Sequence, residues 1–353
     1  MSRFFNPALN KLTPYTPGEQ PKDMKYIKLN TNESPYPPSP SVIAAAEAEA
    51  DKLQLYPDPE CTVLKQKIAQ LYGVDASNVF VSNGSDDILN FAFMAFSGNG
   101  KTAVFPEITY GFYPVFANLN GVPYKTIPLN KDFTINPEDY YNAEGPVFIA
   151  NPNAPTGIAL TVEQIENIVK NNPDNVVVID EAYVDFGAES CYPLTGKYRN
   201  LLVIQTYSKS RSMAGARLGF AIGCSELTGD LNTIKFSTNP YSINRMTMAA
   251  GIAAIDDNNY YMDNCRKIAE TREYVTEELT KLGFEVIPSK TNFVFAKSAA
   301  TDGGELYTKL RQKGVLVRHF DSEKIRQYNR ITIGSREQME CFIQAVKQIV
   351  TME

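Results

Sequence analysis

Imidazole is almost missing from this chain: His319 is the one histidine among 353 residues. A histidine-based metal cluster cannot be assembled from it, and a histidine triad has a single candidate to work with, so metal catalysis is disfavoured. Cysteine is sparse as well. Cys61, Cys191, Cys224, Cys265 and Cys341 are odd in number and scattered, which argues against a disulfide framework and for structural thiols in a reducing compartment. Positive charge is not in excess. With 34 Lys and Arg against 40 Asp and Glu the net charge is −6, and no basic run supplies the electrostatic footprint of a nucleic-acid binder. No apolar run approaches the roughly 20 residues of a spanning helix, and Met1-Ser2-Arg3-Phe4-Phe5-Asn6-Pro7 lacks the apolar stretch of a signal peptide. The expectation is a cytoplasmic protein with no nucleic-acid or membrane partner.

What is present belongs to an ordinary globular chain, 43% apolar and 21% charged, long enough for two domains sharing a well-developed core. Residues 1–40 carry Pro14, Pro17, Pro21, Pro35, Pro37, Pro38 and Pro40, and read as an extended arm that wraps over something else. Residues 41–245 alternate helical and apolar patterns. Val42 to Leu55 and Asp86 to Phe96 read as helices. Asn78–Val81, Thr102–Phe105, Val147–Ala150, Val176–Ile179 and Leu201–Ile204 have the length and apolarity of buried strands. Thr161-Val162-Glu163-Gln164 has the form of a capping box that opens a helix to about Val169. Such alternation predicts an α/β fold with a mostly parallel central sheet covered by helices on both faces. Residues 246–353 read as a smaller α+β domain: a long helix from Tyr260 to Leu282 stopped by Gly283, short strands at Phe293–Ala296, Val315–Val317 and Ile331–Ile333, and a last helix from near Ser335.

The chemistry concentrates after the apolar run Leu201–Ile204, in Thr206-Tyr207-Ser208-Lys209-Ser210-Arg211-Ser212-Met213-Ala214-Gly215-Ala216-Arg217. A lysine at the mouth of a buried strand can be desolvated into a nucleophile, and Arg217 can neutralise a phosphate nearby. Asp180 leaves the strand Val176–Ile179 at what should be the carboxyl edge of the sheet, where ligands bind, and Tyr183 follows three residues on. Ser82-Asn83-Gly84-Ser85-Asp86-Asp87 joins a strand to a helix; Asp86 there is either a simple cap or part of an anion cradle. Tyr110 is placed to stack on a planar ring or merely to pack. Asn151-Pro152-Asn153-Ala154-Pro155-Thr156-Gly157 follows a strand, with asparagines able to bond a ligand. Arg318 and Arg330 flank short strands; each is a surface residue or a bidentate anion clamp. An amine for an aldehyde, a carboxylate for a ring nitrogen and a cation for a phosphate together match what pyridoxal phosphate needs.

In this order the motifs resemble the fold-type I pyridoxal-phosphate aminotransferases, and within them the branch that acts on L-histidinol phosphate. The resemblance runs from Leu12-Thr13-Pro14-Tyr15 and Asn30-Thr31-Asn32-Glu33 through Tyr56-Pro57-Asp58-Pro59 to Val317-Arg318-His319-Phe320 and Arg330-Ile331-Thr332-Ile333-Gly334. It implies that Lys209 is joined to the cofactor aldehyde and later shuttles a proton, that Asp180 pairs with the pyridine nitrogen, and that Tyr183 bonds the ring oxygen. Tyr110 would stack on the ring. Ser85 and Asp86 (through their backbone), Thr206, Ser208 and Arg217 would hold the phosphate, joined by Tyr56 from the partner subunit of a homodimer. Tyr15, Asn32, Arg318 and Arg330 would line the substrate side, with His319 only a neighbour. The family has asparagine where this chain has Ala154, so either Asn153 shifts to serve as a cofactor ligand or Tyr183 holds the ring oxygen alone. The implied reaction is amino transfer from L-histidinol phosphate to 2-oxoglutarate in histidine biosynthesis. An aromatic amino acid aminotransferase, a lyase like threonine-phosphate decarboxylase, and a non-catalytic binding protein on the same scaffold are the alternatives.

Overall fold

Apolar runs of strand length become the buried strands of one central sheet, because only a sheet covered on both faces can use residues that are apolar on both sides. The computed structural model describes residues 2–10 and 12–350. A short strand, β1 (Ile27–Lys28), precedes the central sheet of β2 (Val79–Ser82), β3 (Ala103–Pro106), β4 (Tyr124–Ile127), β5 (Val147–Ala150), β6 (Val177–Asp180), β7 (Leu201–Thr206) and β8 (Gly219–Gly223). Its spatial order is β2-β8-β7-β6-β5-β3-β4. All its strands point the same way except β8, which is antiparallel to both neighbours. The helices α1 (Pro40–Glu47), α2 (Thr62–Tyr72), α3 (Ser85–Phe96), α4 (Tyr113–Leu119), α5 (Val162–Lys170), α6 (Ser225–Thr238) and α7 (Arg245–Asp256) belong to this part of the chain. Phe148, Val178, Leu202 and Ile204 pack with Ile88, Leu89 and Phe93 of α3 and Phe116 of α4. Their strand neighbours Val147, Ile149, Val177, Ile179, Leu201 and Val203 pack with Ile165, Ile168 and Val169 of α5. This alternation with period two fixes which way each strand end points.

The later part of the chain holds α8 (Asn258–Lys281), β9 (Phe284–Ile287), β10 (Phe293–Ser298), α9 (Gly303–Gln312), β11 (Val315–Leu316), β12 (Arg318–His319), β13 (Asn329–Thr332) and α10 (Arg336–Val350). An antiparallel sheet of order β12-β13-β10-β9 packs with Ile268, Val275 and Leu279 of α8 and with Phe342, Val346 and Ile349 of α10. Among the described residues no helix is long and apolar enough to cross a membrane.

The capping box at Thr161 is present, with both reciprocal bonds made. Elsewhere the structure departs from the sequence reading. The helix expected to reach Leu55 ends at Glu47 and gives way to a 3₁₀ turn at Ala50–Lys52. Glu49 is gripped there by Lys52 at 2.8 Å and by Arg245 at 2.7 Å, and this ties the exit of α1 to α7. The strand expected at Val315–Val317 is two strands. Val315 and Leu316 pair in parallel with β1, whereas Arg318 and His319 pair with β13. Strands β4 and β8 carried no signal: Tyr124, Lys125 and Thr126 are exposed on an edge, and β8 is bracketed by glycines. Within residues 1–40 a 3₁₀ turn forms at Pro7–Leu9, and Leu29 is buried against the later sheet.

Candidate active site

The carboxyl ends of β2, β6 and β7, which run in the same direction, converge on one cavity. It is lined by Ser85, Asp86, Tyr110, Ala154, Asp180, Tyr183, Thr206, Ser208, Lys209 and Arg217 among others. Asp180 is the last residue of β6 and its carboxylate is buried, accepting from Tyr113 Oη at 3.3 Å and from the Ala182 N–H at 3.2 Å. Burial pushes its carboxyl up to about 7 despite those bonds. Lys209 lies three residues past the end of β7, its Nζ donating to the Thr31 carbonyl at 3.0 Å. Burial, helped by the charge of Arg330, brings this amine down to about 8. An amine and an acid that line the same cavity are thus both held near neutrality.

Tyr183 is buried, and its hydroxyl accepts from Asn32 Nδ2 at 2.9 Å. Asn32 is itself locked: Thr332 Oγ1 donates to its Oδ1 at 2.9 Å, and its own N–H donates to that hydroxyl at 2.9 Å. The N-terminal arm and β13 therefore aim one phenol. At the other end of the cavity Asp86 joins two candidates, accepting from Tyr110 Oη at 2.7 Å and from Arg217 Nη2 at 3.0 Å. Thr206 and Ser208 hydroxyls lie 3.1 Å apart beside them. The N-terminus of α3 opens here at Ser85, behind Gly84 with φ +88°, so free backbone N–H groups and the helix dipole face the same space as Arg217. A Cβ on Gly84 would lie 2.9 Å from Arg217 Nη2, and one on Gly219 would lie 2.5 Å from the Ser85 nitrogen. Gly219 lets β8 run against the start of α3. Gly219→Ala is expected to destabilise the fold by about 1–3 kcal/mol, measured by urea unfolding, and to weaken phosphate binding measured on the same protein.

A second cavity adjoins the first, sharing Tyr110, Ala154, Tyr183 and Lys209 with it, and adds Tyr15, Asn32, Arg318 and Arg330. Tyr15 stacks on Phe112 at 4.2 Å. Arg330 is partly buried, donates to the Asn30 carbonyl at 3.0 Å, and leaves its Nε without a partner. Arg318 reaches the carbonyls of Thr16 and Pro17 at 3.2 and 3.4 Å. These two cations meet backbone oxygens rather than carboxylates, an arrangement that suits an anionic ligand. His319 lies off this cavity, its ring stacked on Tyr307 at 5.9 Å.

Asn153, expected as a cofactor ligand, lines neither cavity. It is buried, donating to the Ile108 carbonyl at 2.9 Å and to Thr156 Oγ1 at 3.2 Å and accepting from Thr109 Oγ1 at 2.8 Å, while Ala154 beside it lines both cavities. Tyr56 stands 78% exposed and stacks on Tyr241 at 4.5 Å, lining neither cavity of its own chain. One residue was missed. Tyr113, fully buried on α4, holds Asp180, and its three-residue spacing from Tyr110 is the only trace of it in the sequence.

The donor set fits pyridoxal phosphate. It offers an amine at Lys209, a carboxylate at Asp180, a phenol at Tyr183, and a cradle of helix N-terminus, two hydroxyls and Arg217, where a Cβ on Gly219 would meet the backbone at the start of α3. Comparison with known proteins agrees. A family model described as aminotransferase class I and II matches residues 24–346. The chain is 53% identical over 352 residues to the histidinol-phosphate aminotransferase of Brachyspira hyodysenteriae, covering 99% of each. It is 50% identical over 350 residues to that of Acinetobacter baumannii, covering 98% of this chain and 97% of the relative. In three dimensions it is similar to the histidinol-phosphate aminotransferase of Sinorhizobium meliloti in complex with pyridoxal-5'-phosphate, with a TM-score of 0.90 at 24% identity over 100% and 99% of the two chains. That last likeness is one of fold. With the motifs gathered on one sheet edge and the family match spanning nearly all of its length, the chain belongs to the class I and II aminotransferases, a pyridoxal-phosphate-dependent family.

Proposed function

We propose that the protein transfers the amino group of L-histidinol phosphate to 2-oxoglutarate, giving imidazole acetol phosphate and L-glutamate in histidine biosynthesis. The observation that carries this reading is the pair Arg318 and Arg330, which face the second cavity without carboxylate partners. A guanidinium fork suits both anions the reaction must alternate between, a phosphate monoester and a dicarboxylate. Relatives about half identical along the whole chain carry the corresponding name.

Pyridoxal phosphate, when bound, supplies an aldehyde that takes up the amino group and a cationic ring that withdraws electrons from the substrate carbon. Asp180, aimed by Tyr113, would hold the ring nitrogen in its protonated form. Tyr183, oriented by Asn32, would bond the ring oxygen. Tyr110, tied through its hydroxyl to Asp86, would stack on the ring. The backbone of Ser85 and Asp86, the hydroxyls of Thr206 and Ser208, and Arg217 would hold the phosphate. Lys209 would supply the amine for the aldehyde, and its Nζ would be the base that takes the proton from substrate Cα. An amine lowered to about 8 is partly free of its proton near neutral pH and so can act as that base. Tyr15, Asn32, Arg318 and Arg330 orient the substrate.

The same proposal makes the active unit a cytoplasmic homodimer, with Tyr56 of each chain reaching the phosphate of the other. It divides the chain into an arm (1–40), a large cofactor-binding domain (41–245) and a small domain (246–353). An amino-donor panel with 2-oxoglutarate tests the substrate. Histidinol phosphate is expected to give the highest kcat/KM with formation of glutamate. Preference for phenylalanine or tyrosine would replace it by an aromatic donor, and release of CO₂ from a phosphorylated amino acid would make the enzyme a lyase.

A further inference from the structure

Lys235, on the last turn of α6, has 1% of its surface exposed. Lysine is seldom buried so fully, because an ammonium removed from water needs strong partners. Its Nζ donates to the Pro59 carbonyl at 3.0 Å and lies 3.7 Å from Cys61 Sγ. Burial depresses the Lys235 amine and raises the Cys61 thiol. A thiol raised in this way is a poor nucleophile, so the contact reads as an anchor rather than a reactive pair.

What it anchors is the turn that follows Tyr56. Pro57 and Pro59 have no N–H to donate, so this stretch has few backbone donors of its own for holding its shape. Asp58 supplies some of the missing bonds, accepting from the N–H groups of Glu60 at 3.0 Å and Thr62 at 2.7 Å. Cys61 then takes a left-handed backbone, φ +52°, to enter α2. The remaining grips come from one short stretch of chain at the end of α6 and the start of α7. Lys235 takes the Pro59 carbonyl, Tyr241 stacks on the Tyr56 ring at 4.5 Å, and Arg245 Nη1 donates to the Tyr56 carbonyl at 3.4 Å. Of these, Lys235 is the buried one, and the C-terminal end of a helix favours its positive charge.

We infer that Lys235 is a positioning residue acting across the dimer: by holding the Pro59 carbonyl it fixes the turn that presents Tyr56 to the cofactor phosphate of the partner subunit. This rests on the proposed role of Tyr56. Dimeric enzyme stripped of cofactor is titrated with pyridoxal phosphate, and melting temperatures are recorded alongside. Tyr56→Phe and Lys235→Met are each expected to weaken binding by about tenfold, the worth of one hydrogen bond to a charged group, and the double variant by no more than either alone. Lys235→Gln, too short to reach Pro59, is expected to match Lys235→Met and stands in for it if that variant does not fold. A lysine with a merely structural role would lower the melting temperature and leave the affinity alone. Weakened Tyr56→Phe beside unchanged Lys235 variants overturns the inference by itself, as does a double variant in which the losses multiply. Unchanged affinity in Tyr56→Phe overturns the reading of Tyr56 and the inference with it.

Discussion

Lys209→Ala is expected to lower turnover by about four orders of magnitude or more, since it removes both the nucleophile and the proton carrier. The fold should survive. Lys209 projects from beyond the end of β7 into the cavity and has the Thr31 carbonyl as its hydrogen-bond acceptor. In the cofactor-free protein its amine is depressed to about 8 by burial, below the roughly 10.4 of a free lysine. Between those two values the unfolded chain binds more protons, so stability rises with pH, and below them the full desolvation penalty is present. Removing the amine therefore removes a destabilising group near neutral pH. Single-turnover kinetics and a thermal melt of the stripped variant check both halves. Activity within tenfold of the wild type would refute the assignment of Lys209, whatever the melt shows.

Asp180→Asn is expected to lower kcat by about 10²–10³-fold, the scale of losing one preorganised electrostatic partner of the reacting system. The substitution keeps the shape of the side chain and removes the charge that, on the proposed mechanism, holds the ring nitrogen protonated. Its effect on the cofactor-free protein should have the opposite sign. Burial raises the Asp180 carboxyl to about 7, against about 3.9 in an unfolded chain. The folded protein thus binds the extra proton between those values, and stability falls as pH rises through that window. Asparagine removes this slope, so the stripped variant should be more stable than the wild type at pH 8 and no less so at pH 4. Urea unfolding at the two pH values decides it; equal loss of stability at both would mean that Asp180 supports the fold rather than the cofactor.

The linear chain displays some parts of this site clearly. Asp180 is legible because it directly follows a run of fully apolar residues, and Lys209 because it lies a few residues beyond another; a strand buried on both faces of a parallel sheet releases the residues after it at the carboxyl edge. Tyr183 and Ser85 are legible as polar groups just beyond strand ends and Arg217 as a cation downstream of Lys209, and the structure gathers them into the same cavity. Tyr113 was silent, since a tyrosine on an apolar helix face looks like core until the acid it touches is known. Asn153 shows the reverse: a polar residue after a strand reads as a ligand group, and its bonds to Ile108, Thr156 and Thr109 are visible only in the folded chain. Strand β8 stays hidden behind its two glycines, and nothing in the sequence marks Lys235, whose partner at Pro59 lies 176 positions away.

Local pattern alone determined the class of fold and pointed to Lys209 and Asp180 as site candidates, because apolar periodicity and strand-end position are properties of neighbouring residues. Only the tertiary structure decided which polar groups meet. Asn32 reaches Tyr183 across 151 positions of chain, and Thr332 reaches Asn32 across 300. Such pairs form when separate elements close on one another, and a hydrogen bond depends on the final distance and angle, which no spacing along the chain encodes.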